Sequence, residues 1–234
     1  MATLPTKREA ILAGHFLLRH LRAEDLGRLA ASAVVSHYPR QSVIFQKGDP
    51  GTSMMAVVRG RVKICTYSVD GKELVLNIIG QDGLFGEISV LDGQPRSGDA
   101  VALEDTELLV LERNRLLPFL TGTPEVATRL LEVLCLRLRQ TSEHLEDALL
   151  REAPSRVARG LLRLAGTFGK PEGDGIRLDI KLSQQQIGNL IGISRESVNK
   201  YIVEWSRAGA IAVRNGYITI LDQDALEEIS DAEV

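Results

Sequence analysis

The sequence predicts an α+β fold in three parts: an N-terminal β-roll, one long helix, and a C-terminal domain of short helices and a hairpin. Short apolar segments alternate with turn residues from about residue 35 to 115, a heptad of apolar residues follows, and two capped helices flank a glycine turn near residue 192. The 234 residues are 44% hydrophobic and 25% charged, enough for two modest globular domains. We place the boundaries at 1–122, 123–152 and 153–234.

The first part is predicted to be a small, jelly-roll-like β-roll. Residues 42–45, 54–58, 62–65 and 74–79 are short and apolar, and turn pairs such as Asp70-Gly71 and Asp82-Gly83 separate them. Many short strands at close spacing are typical of a roll or barrel. Residues 23–35 have helical spacing at Leu26, Leu29, Ala30 and Ala33, which predicts a helix covering one end.

The second part is predicted to be a single helix from Thr123 to about Leu150. Thr123 is a suitable N-cap, and Pro124 and Glu125 favour the first turn. Spacings of four and three then define the heptad seam of a coiled coil, formed by Ala127, Leu131, Leu134, Leu138, Thr141, Leu145 and Ala148. An ordinary helix packed on the roll is the alternative, but apolar residues cover two faces, which favours a homodimer. Thr141 either sets the register or meets a polar group between subunits.

The chain is expected to bend after this helix. Pro154 disfavours helical geometry before it, so residues 151–155 are the predicted hinge. An amphipathic helix follows, whose predicted buried side is marked by Val157, Leu161, Leu162, Leu164 and Ala165. Gly166 to Gly175 is predicted to be a loop.

Residues 182–202 have the spacing of a helix-turn-helix. Ser183 and Gln186 form a capping box, Gly188 allows close approach, Gly192 permits the turn, and Ser194 caps the second helix. Residues 211–220 then predict a hairpin with an Asn-Gly turn, which completes a winged helix-turn-helix.

The exposed face of the second helix suits the major groove of double-stranded DNA. Arginine reads guanine and glutamate accepts from cytosine, while hydroxyl groups donate to phosphates. The candidate DNA contacts are Ser183, Ser194, Arg195, Glu196, Ser197, Asn199, Lys200 and Arg214. Residues 154–220 contain ten Lys/Arg against five Asp/Glu, although the net charge of the chain is −3. Two helices in a purely structural domain are the plainer alternative.

Other kinds of site and compartment have little support. The two cysteines, Cys65 and Cys135, are expected to be buried small hydrophobes, and neither they nor the histidines have metal-ligand spacing. No run of about 18 apolar residues and no secretory leader is visible, so we expect a cytoplasmic protein with no membrane partner.

A segment with small residues, from Phe85 to Ser97, suits a phosphate and a sugar. Gly86 and its neighbours expose backbone N–H groups, Arg96 and Ser97 can bind a phosphate, and Glu87 can accept from a ribose hydroxyl. The same residues are also compatible with a structural Glu–Arg pair and a β-turn.

At this point the sequence resembles the CRP/FNR family of bacterial regulators, in particular its cyclic-AMP receptor branch. The resemblance covers nearly the entire chain and implies a cyclic-nucleotide-binding β-roll, a dimerisation helix and a winged helix-turn-helix. It implies cAMP as effector, with cGMP as the other candidate, and palindromic DNA with TGTGA-type half-sites and RNA polymerase as partners. The implied ligand contacts are Gly86, Glu87, Ile88, Ser89, Arg96, Ser97, Thr141 and Ser142.

In that branch the Thr-Ser pair on the dimer helix contacts adenine, one residue from each subunit. The resemblance therefore implies that Thr141, the hydroxyl residue in the seam, contacts the ligand. Lys200 departs from the branch, which has arginine there, and Gly98-Asp99 stands where apolar residues are usual. These departures leave the half-site and the purine open.

The resulting hypothesis is a nucleotide-gated transcription regulator and not an enzyme. Within the same family, a regulator that binds DNA without nucleotide or that responds to a cyclic dinucleotide is the alternative. A cyclic-nucleotide hydrolase would need a metal cluster or a nucleophile–base pair that the sequence does not show. A kinase regulatory subunit shares the cyclic-nucleotide-binding β-roll but does not need the winged helix-turn-helix.

Overall fold

The computed structural model describes residues 23–232, apart from the side chain of Leu26. The described residues form two compact units: residues 23–71 with 76–137, and residues 72–75 with 138–232. The division falls within the long helix. The three predicted domain boundaries stay a prediction.

Eight short strands lie between residues 34 and 112 and form two four-stranded sheets with the orders β1-β8-β3-β6 and β2-β7-β4-β5. They are β1 Val34–Tyr38, β2 Val43–Phe45, β3 Ser53–Arg59, β4 Val62–Tyr67, β5 Glu73–Ile79, β6 Leu84–Phe85, β7 Asp99–Ala102 and β8 Thr106–Glu112. The predicted β-rich first part is therefore confirmed.

Strand β3 shows why the central strands are apolar on both faces. Met54 and Ala56 pack in one buried cluster, whereas Met55 and Val57 pack in the other. Side chains alternate across a strand, so a strand with both faces covered is continuously hydrophobic. The second cluster also contains Phe85.

Between residues 23 and 150 the structure has four helices: α1 Ala23–Ser32, α2 Glu87–Asp92, α3 Arg113–Gly122 and α4 Pro124–Leu150. Leu29 of α1 packs in the same buried cluster as Val126 and Leu130 of α4. Helix α1 is shorter than its apolar spacing predicted, because Val34 and Val35 pair with strand β8 instead.

The long helix α4 is confirmed over 27 residues. Three predicted seam residues, Leu131, Leu138 and Leu145, are 59%, 69% and 59% exposed. Cys65 is buried in strand β4, as expected, but the prediction for Cys135 was wrong, since it is exposed on α4. The reason is that Val126 and Leu130, rather than Cys135, supply the buried face of this helix.

The second unit contains the C-terminal helices and a sheet with the order β11-β12-β10-β9. Its elements after α4 are α5 Ala153–Phe168, β9 Gly169–Glu172, β10 Gly175–Leu178, α6 Gln184–Ile191, α7 Arg195–Arg207, β11 Ile211–Arg214, β12 Tyr217–Ile220 and α8 Gln223–Asp231. This confirms the predicted helix-turn-helix and its hairpin.

The predicted loop from Gly166 to Gly175 was wrong. Helix α5 continues to Phe168, and β9 and β10 form a hairpin in which Glu172 pairs with Gly175. These strands lack an alternating pattern, and pairing of β10 with β12 places them in the sheet. The interruption before α5 is also shorter than expected, because Pro154 occupies the first turn of α5.

Candidate functional site

Gly86 begins the candidate phosphate segment, at the N-cap of the short helix α2. Its φ of 79° is left-handed, a conformation that favours glycine. A Cβ atom there would lie 2.6 Å from Nη1 of Arg96. Both the backbone and the close approach of Arg96 therefore require glycine.

Arg96 is a nearly buried cation, 4% exposed. Its Nη1 donates to the Gly86 carbonyl at 2.9 Å, its Nη2 donates to Ser53 Oγ at 3.2 Å, and its guanidinium carbon lies 4.2 Å from the ring centroid of Phe45. Its buried Nε has no hydrogen-bond partner among the described residues. Burial lowers the pKa of Arg96, so a bound anion would favour its charged form.

Glu87 is the buried carboxylate of this segment, 1% exposed. Its Oε1 accepts from Arg137 of α4, which also donates to the Leu84 carbonyl. The other oxygen, Oε2, finds no donor in the part of the chain that the structure describes. One carboxylate oxygen is thus held by the helix, and the other is buried without that support.

The remaining predicted residues of the segment flank this pair. Ser89 is buried and donates to the Pro95 carbonyl at 3.3 Å, while the side chain of Ile88 is 45% exposed. Ser97 is exposed, two residues before β7. We call the group formed by residues 86–89 and 95–97 the cassette; its two arms are joined by the Arg96–Gly86 and Ser89–Pro95 hydrogen bonds.

Thr141 and Ser142 lie on α4, and both are exposed. Ser142 Oγ donates to the Leu138 carbonyl at 3.0 Å, a bond within the helix. Their residues belong to the second unit, whereas the cassette belongs to the first. Their contact with a ligand stays a prediction.

The helix-turn-helix is built on the predicted caps. Ser183 Oγ accepts from Gln186 N at 3.2 Å, and Gln186 Oε1 accepts from Ser183 N at 2.9 Å. Gly192 ends α6 with a φ of 72°, and a Cβ on Gly188 would lie 2.7 Å from the Ile193 carbonyl oxygen. The capping box and both glycine predictions are confirmed.

Helix α7 presents one buried and one exposed face. Val198, Ile202 and Trp205 are buried, and Ser194 Oγ accepts from Ser197 N at 3.1 Å to cap the helix. The exposed side chains are the predicted set Arg195, Glu196, Asn199 and Lys200. Such a face is available to base edges and phosphates.

Two features sharpen the chemistry of this face. The pKa of Glu196 is lowered by a hydrogen bond from its own backbone N–H and then by one from the Ser194 hydroxyl. A lowered pKa favours the acceptor form of the carboxylate. Gln184 Nε2 donates to Asn199 Oδ1 at 2.8 Å, which connects α6 to the exposed face of α7. The sequence did not predict that contact.

The hairpin after α7 forms the wing. Asn215 and Gly216 have φ values of 52° and 81°, as a two-residue turn of this kind requires, and Arg214 is exposed beside them. Lys181 and Arg177 approach the ring of Tyr217, each at 5.3 Å from its centroid. Both basic residues were missed by the sequence reasoning.

Comparison with known proteins bears on both sites. A model of the cyclic nucleotide-binding domain matches residues 35–122, and a model of the Crp-like helix-turn-helix domain matches residues 155–229. The chain is 33% identical to a CRP-like cAMP-activated global transcriptional regulator of Mycobacterium tuberculosis, over 93% of this chain and 97% of that protein. The chain belongs to the CRP/FNR family.

A second relative of this CRP/FNR member is the cyclic AMP receptor protein of Thermus thermophilus, 34% identical over 82% of this chain and 86% of that protein. The solved structure of FixK2 from Bradyrhizobium japonicum has a TM-score of 0.77, with 20% identity, and covers 86% of this chain and 99% of that one. The latter likeness shows the fold alone. The family is one of transcription regulators with a nucleotide-binding and a DNA-binding domain.

Three contacts of this CRP/FNR cassette were not expected. Arg137 is not among the ligand contacts that the resemblance implies, yet its guanidinium pairs with Glu87. Ser53 and Phe45, from distant strands, enclose Arg96. A lone arginine within an apolar helix face was the available signal for Arg137; no local pattern identified the other two.

Two further findings concern the described residues alone. None of their helices has the length and apolarity that a membrane span requires. Nor do residues 23–232 contain a group of three or more His, Cys, Asp or Glu side chains that could hold a metal ion.

Proposed function

We propose that this chain is a homodimeric transcription regulator whose affinity for palindromic DNA is switched by a cyclic nucleotide, with cAMP as the first candidate and cGMP as the second. The observation that carries the proposal is the buried pair of unpartnered atoms in the cassette, Arg96 Nε and Glu87 Oε2. A donor on a cation suits a phosphate oxygen, and a carboxylate oxygen suits a ribose hydroxyl. Bound cyclic nucleotide would supply both groups within one small molecule.

The cassette residues have distinct proposed roles. Arg96 and Ser97 bind the phosphate, with backbone N–H groups near Ile88 and Ser89, while Glu87 binds the ribose. Arg137 holds Glu87 from α4. Thr141 and Ser142 are proposed to contact the purine, one residue from each subunit, as the family resemblance implies.

A second copy of the chain is the proposed partner of α4. Leu131, Leu138 and Leu145 recur at intervals of seven and are each more than half exposed. A helix that exposes a heptad of leucines is stabilised by an equivalent helix, and a two-fold dimer presents two reading heads to a palindrome. RNA polymerase remains a proposed partner because the relatives regulate transcription.

The switch is proposed to follow from linkage. Nucleotide stabilises the dimer arrangement in which both α7 helices reach successive major grooves, about 34 Å apart. On α7, Arg195 and Glu196 are proposed to read base edges, and Lys200 and Ser194 to bind phosphates or bases. Ser183, Ser197, Asn199 and Arg214 complete the proposed DNA contacts.

Calorimetric titration with cAMP, cGMP and a cyclic dinucleotide tests the ligand. We expect cAMP to bind and Arg96→Ala to abolish binding, whereas Arg115→Ala, which removes an exposed arginine, should bind as the parent does. Lack of heat with all three nucleotides would refute the ligand proposal. Thin-layer chromatography should recover intact cAMP after incubation, since we propose no hydrolysis.

One observation favours a nucleotide-independent regulator as the second candidate. Arg96 already donates to Gly86 and Ser53, and Glu87 already pairs with Arg137, so the cassette is held together by its own residues. Duplexes selected from a random library, followed by fluorescence anisotropy, separate the two. Only a gated regulator loses nucleotide-dependent DNA affinity in Arg96→Ala.

A further inference from the structure

Asp147 is a buried carboxylate near the end of the long helix. It is 4% exposed, although the neighbouring residues Glu146 and Ala148 are exposed. Three arginines surround it: Arg159 Nε lies 2.8 Å and Arg151 Nε 3.5 Å from Oδ1, and Arg163 donates to Oδ2. The two contacts of Oδ1 are close ion pairs without hydrogen-bond alignment.

The arginines come from different parts of the second unit. Arg159 and Arg163 are one helical turn apart on α5 and therefore share a face, whereas Arg151 lies in the two-residue connection after α4. A single carboxylate thus joins the end of α4, the connection and α5. We call these four residues the hinge cluster.

The hinge cluster is also tied to the C-terminal helix α8. Arg151 Nη1 donates to the Ser230 carbonyl at 2.8 Å, and Ser155 Oγ donates to the same oxygen at 2.6 Å. Ser155 and Ser230 are both buried. Three helices therefore meet at the point that the sequence predicted to be a hinge.

Helix α5 also contacts the helix-turn-helix. Arg156 Nη2 donates to the Ile191 carbonyl at 2.6 Å and to the Gly192 carbonyl at 3.2 Å, at the turn between α6 and α7. A displacement of α5 is expected to move this turn and the start of the recognition helix. The contacts run without a gap from Asp147 to the turn that positions α7.

We propose that Asp147 is a positioning residue that couples nucleotide binding to DNA binding by locking α4 to α5. This inference rests on the proposed function. Thr141 and Ser142 lie about 8 Å before Asp147 along the same helix, at about 1.5 Å per residue. In a rigid helix, a rotation at the hydroxyl pair reaches Asp147, and the hinge cluster transfers it to α5.

The charges explain why the lock depends on this one residue. Three guanidinium groups share one carboxylate, so neutralising Asp147 leaves cations that repel one another. Losing one arginine still leaves two pairs. Asp147→Asn is therefore the sharpest perturbation, and the arginine variants are milder.

The first experiment compares DNA affinity with and without cAMP in the full chain. We expect Asp147→Asn to reduce the cAMP-dependent gain in DNA affinity by about tenfold or more, since coupling factors commonly span about 5–150-fold. Calorimetry should still detect cAMP binding. Glu146→Gln removes an exposed charge from the preceding position and should keep the parent gain. Asp147→Glu should restore part of the gain that Asp147→Asn loses.

A second measurement does not depend on nucleotide. Hydrogen exchange of the backbone amides of residues 151–153 and 155–158 should accelerate in Asp147→Asn and not in Glu146→Gln. If Asp147→Asn fails to fold, Arg159→Gln and Arg163→Gln should each give an intermediate loss of coupling.

Several results would overturn the inference. The inference is wrong if Asp147→Asn retains the full cAMP-dependent gain, binds DNA tightly without cAMP, or exchanges its amides at the parent rate. A parent-like gain in both arginine variants would count equally against it. If the parent chain itself shows no nucleotide effect on DNA, the proposed function fails, while hydrogen exchange still decides whether Asp147 locks the two helices.

Discussion

Replacing Arg137 by methionine should destabilise the β-roll, because it strands a buried carboxylate. Arg137 pairs with Glu87, which is 1% exposed, and also donates to the Leu84 carbonyl. Removing one partner of a buried ion pair costs about 3–5 kcal/mol. The Arg137 side chain is 23% exposed, so water screens part of this loss, and we expect the lower end, about 3 kcal/mol.

Urea unfolding of the full chain measures this cost. Far-UV circular dichroism follows both units, and fluorescence of the single tryptophan, Trp205, follows the second. The Arg137→Met shift should therefore appear in circular dichroism more than in fluorescence. As a control, Arg129→Met removes an exposed pair with Glu132 and should cost less than about 1 kcal/mol.

The double variant Glu87→Met/Arg137→Met identifies the cause. Removing both polar partners leaves no stranded carboxylate, so most of the lost stability should return. An Arg137→Met chain within about 0.5 kcal/mol of the parent would contradict the assignment of an energetically important buried pair. A double variant as unstable as the single one would do the same.

Four further changes have defined outcomes. Gly86→Ala should weaken cAMP binding about tenfold or more by calorimetry, because its Cβ meets Arg96, whereas Gly71→Ala, at a similar φ of 76° in open space, should not. Ser183→Ala should cost about 1 kcal/mol in Trp205-monitored unfolding, and Ser183→Asp should retain the cap. Lys200→Ala should lower the salt dependence of DNA binding by about one unit of slope; an unchanged slope would argue against a phosphate contact. Burial and then Arg163 lower the pKa of His144, so the unfolded chain binds the proton more tightly than the folded chain does. The free energy of unfolding should therefore fall as pH drops below about 6.5. His144→Gln should flatten this pH dependence, measured as urea midpoints.

Much of the DNA-reading head was predictable because its signals are local. A capping box needs only Ser183 and Gln186, and the turn needs a glycine at 192. The long helix was equally visible from Pro124 and the repeating leucines. By contrast, the β9–β10 hairpin has no local pattern of its own, since its pairing with β12 comes from a distant segment.

The sequence by itself determined the order of the parts, the caps and the heptad, because the signals for each depend on neighbours within a few positions. Only the tertiary structure decided what those residues touch. Glu87 pairs with Arg137 fifty positions away, Arg96 contacts Ser53 and Phe45 on two strands, and Asp147 pairs with arginines that lie beyond the end of its helix. Such contacts depend on how strands and helices pack, and burial then gives each charge its energetic weight, which local spacing does not encode.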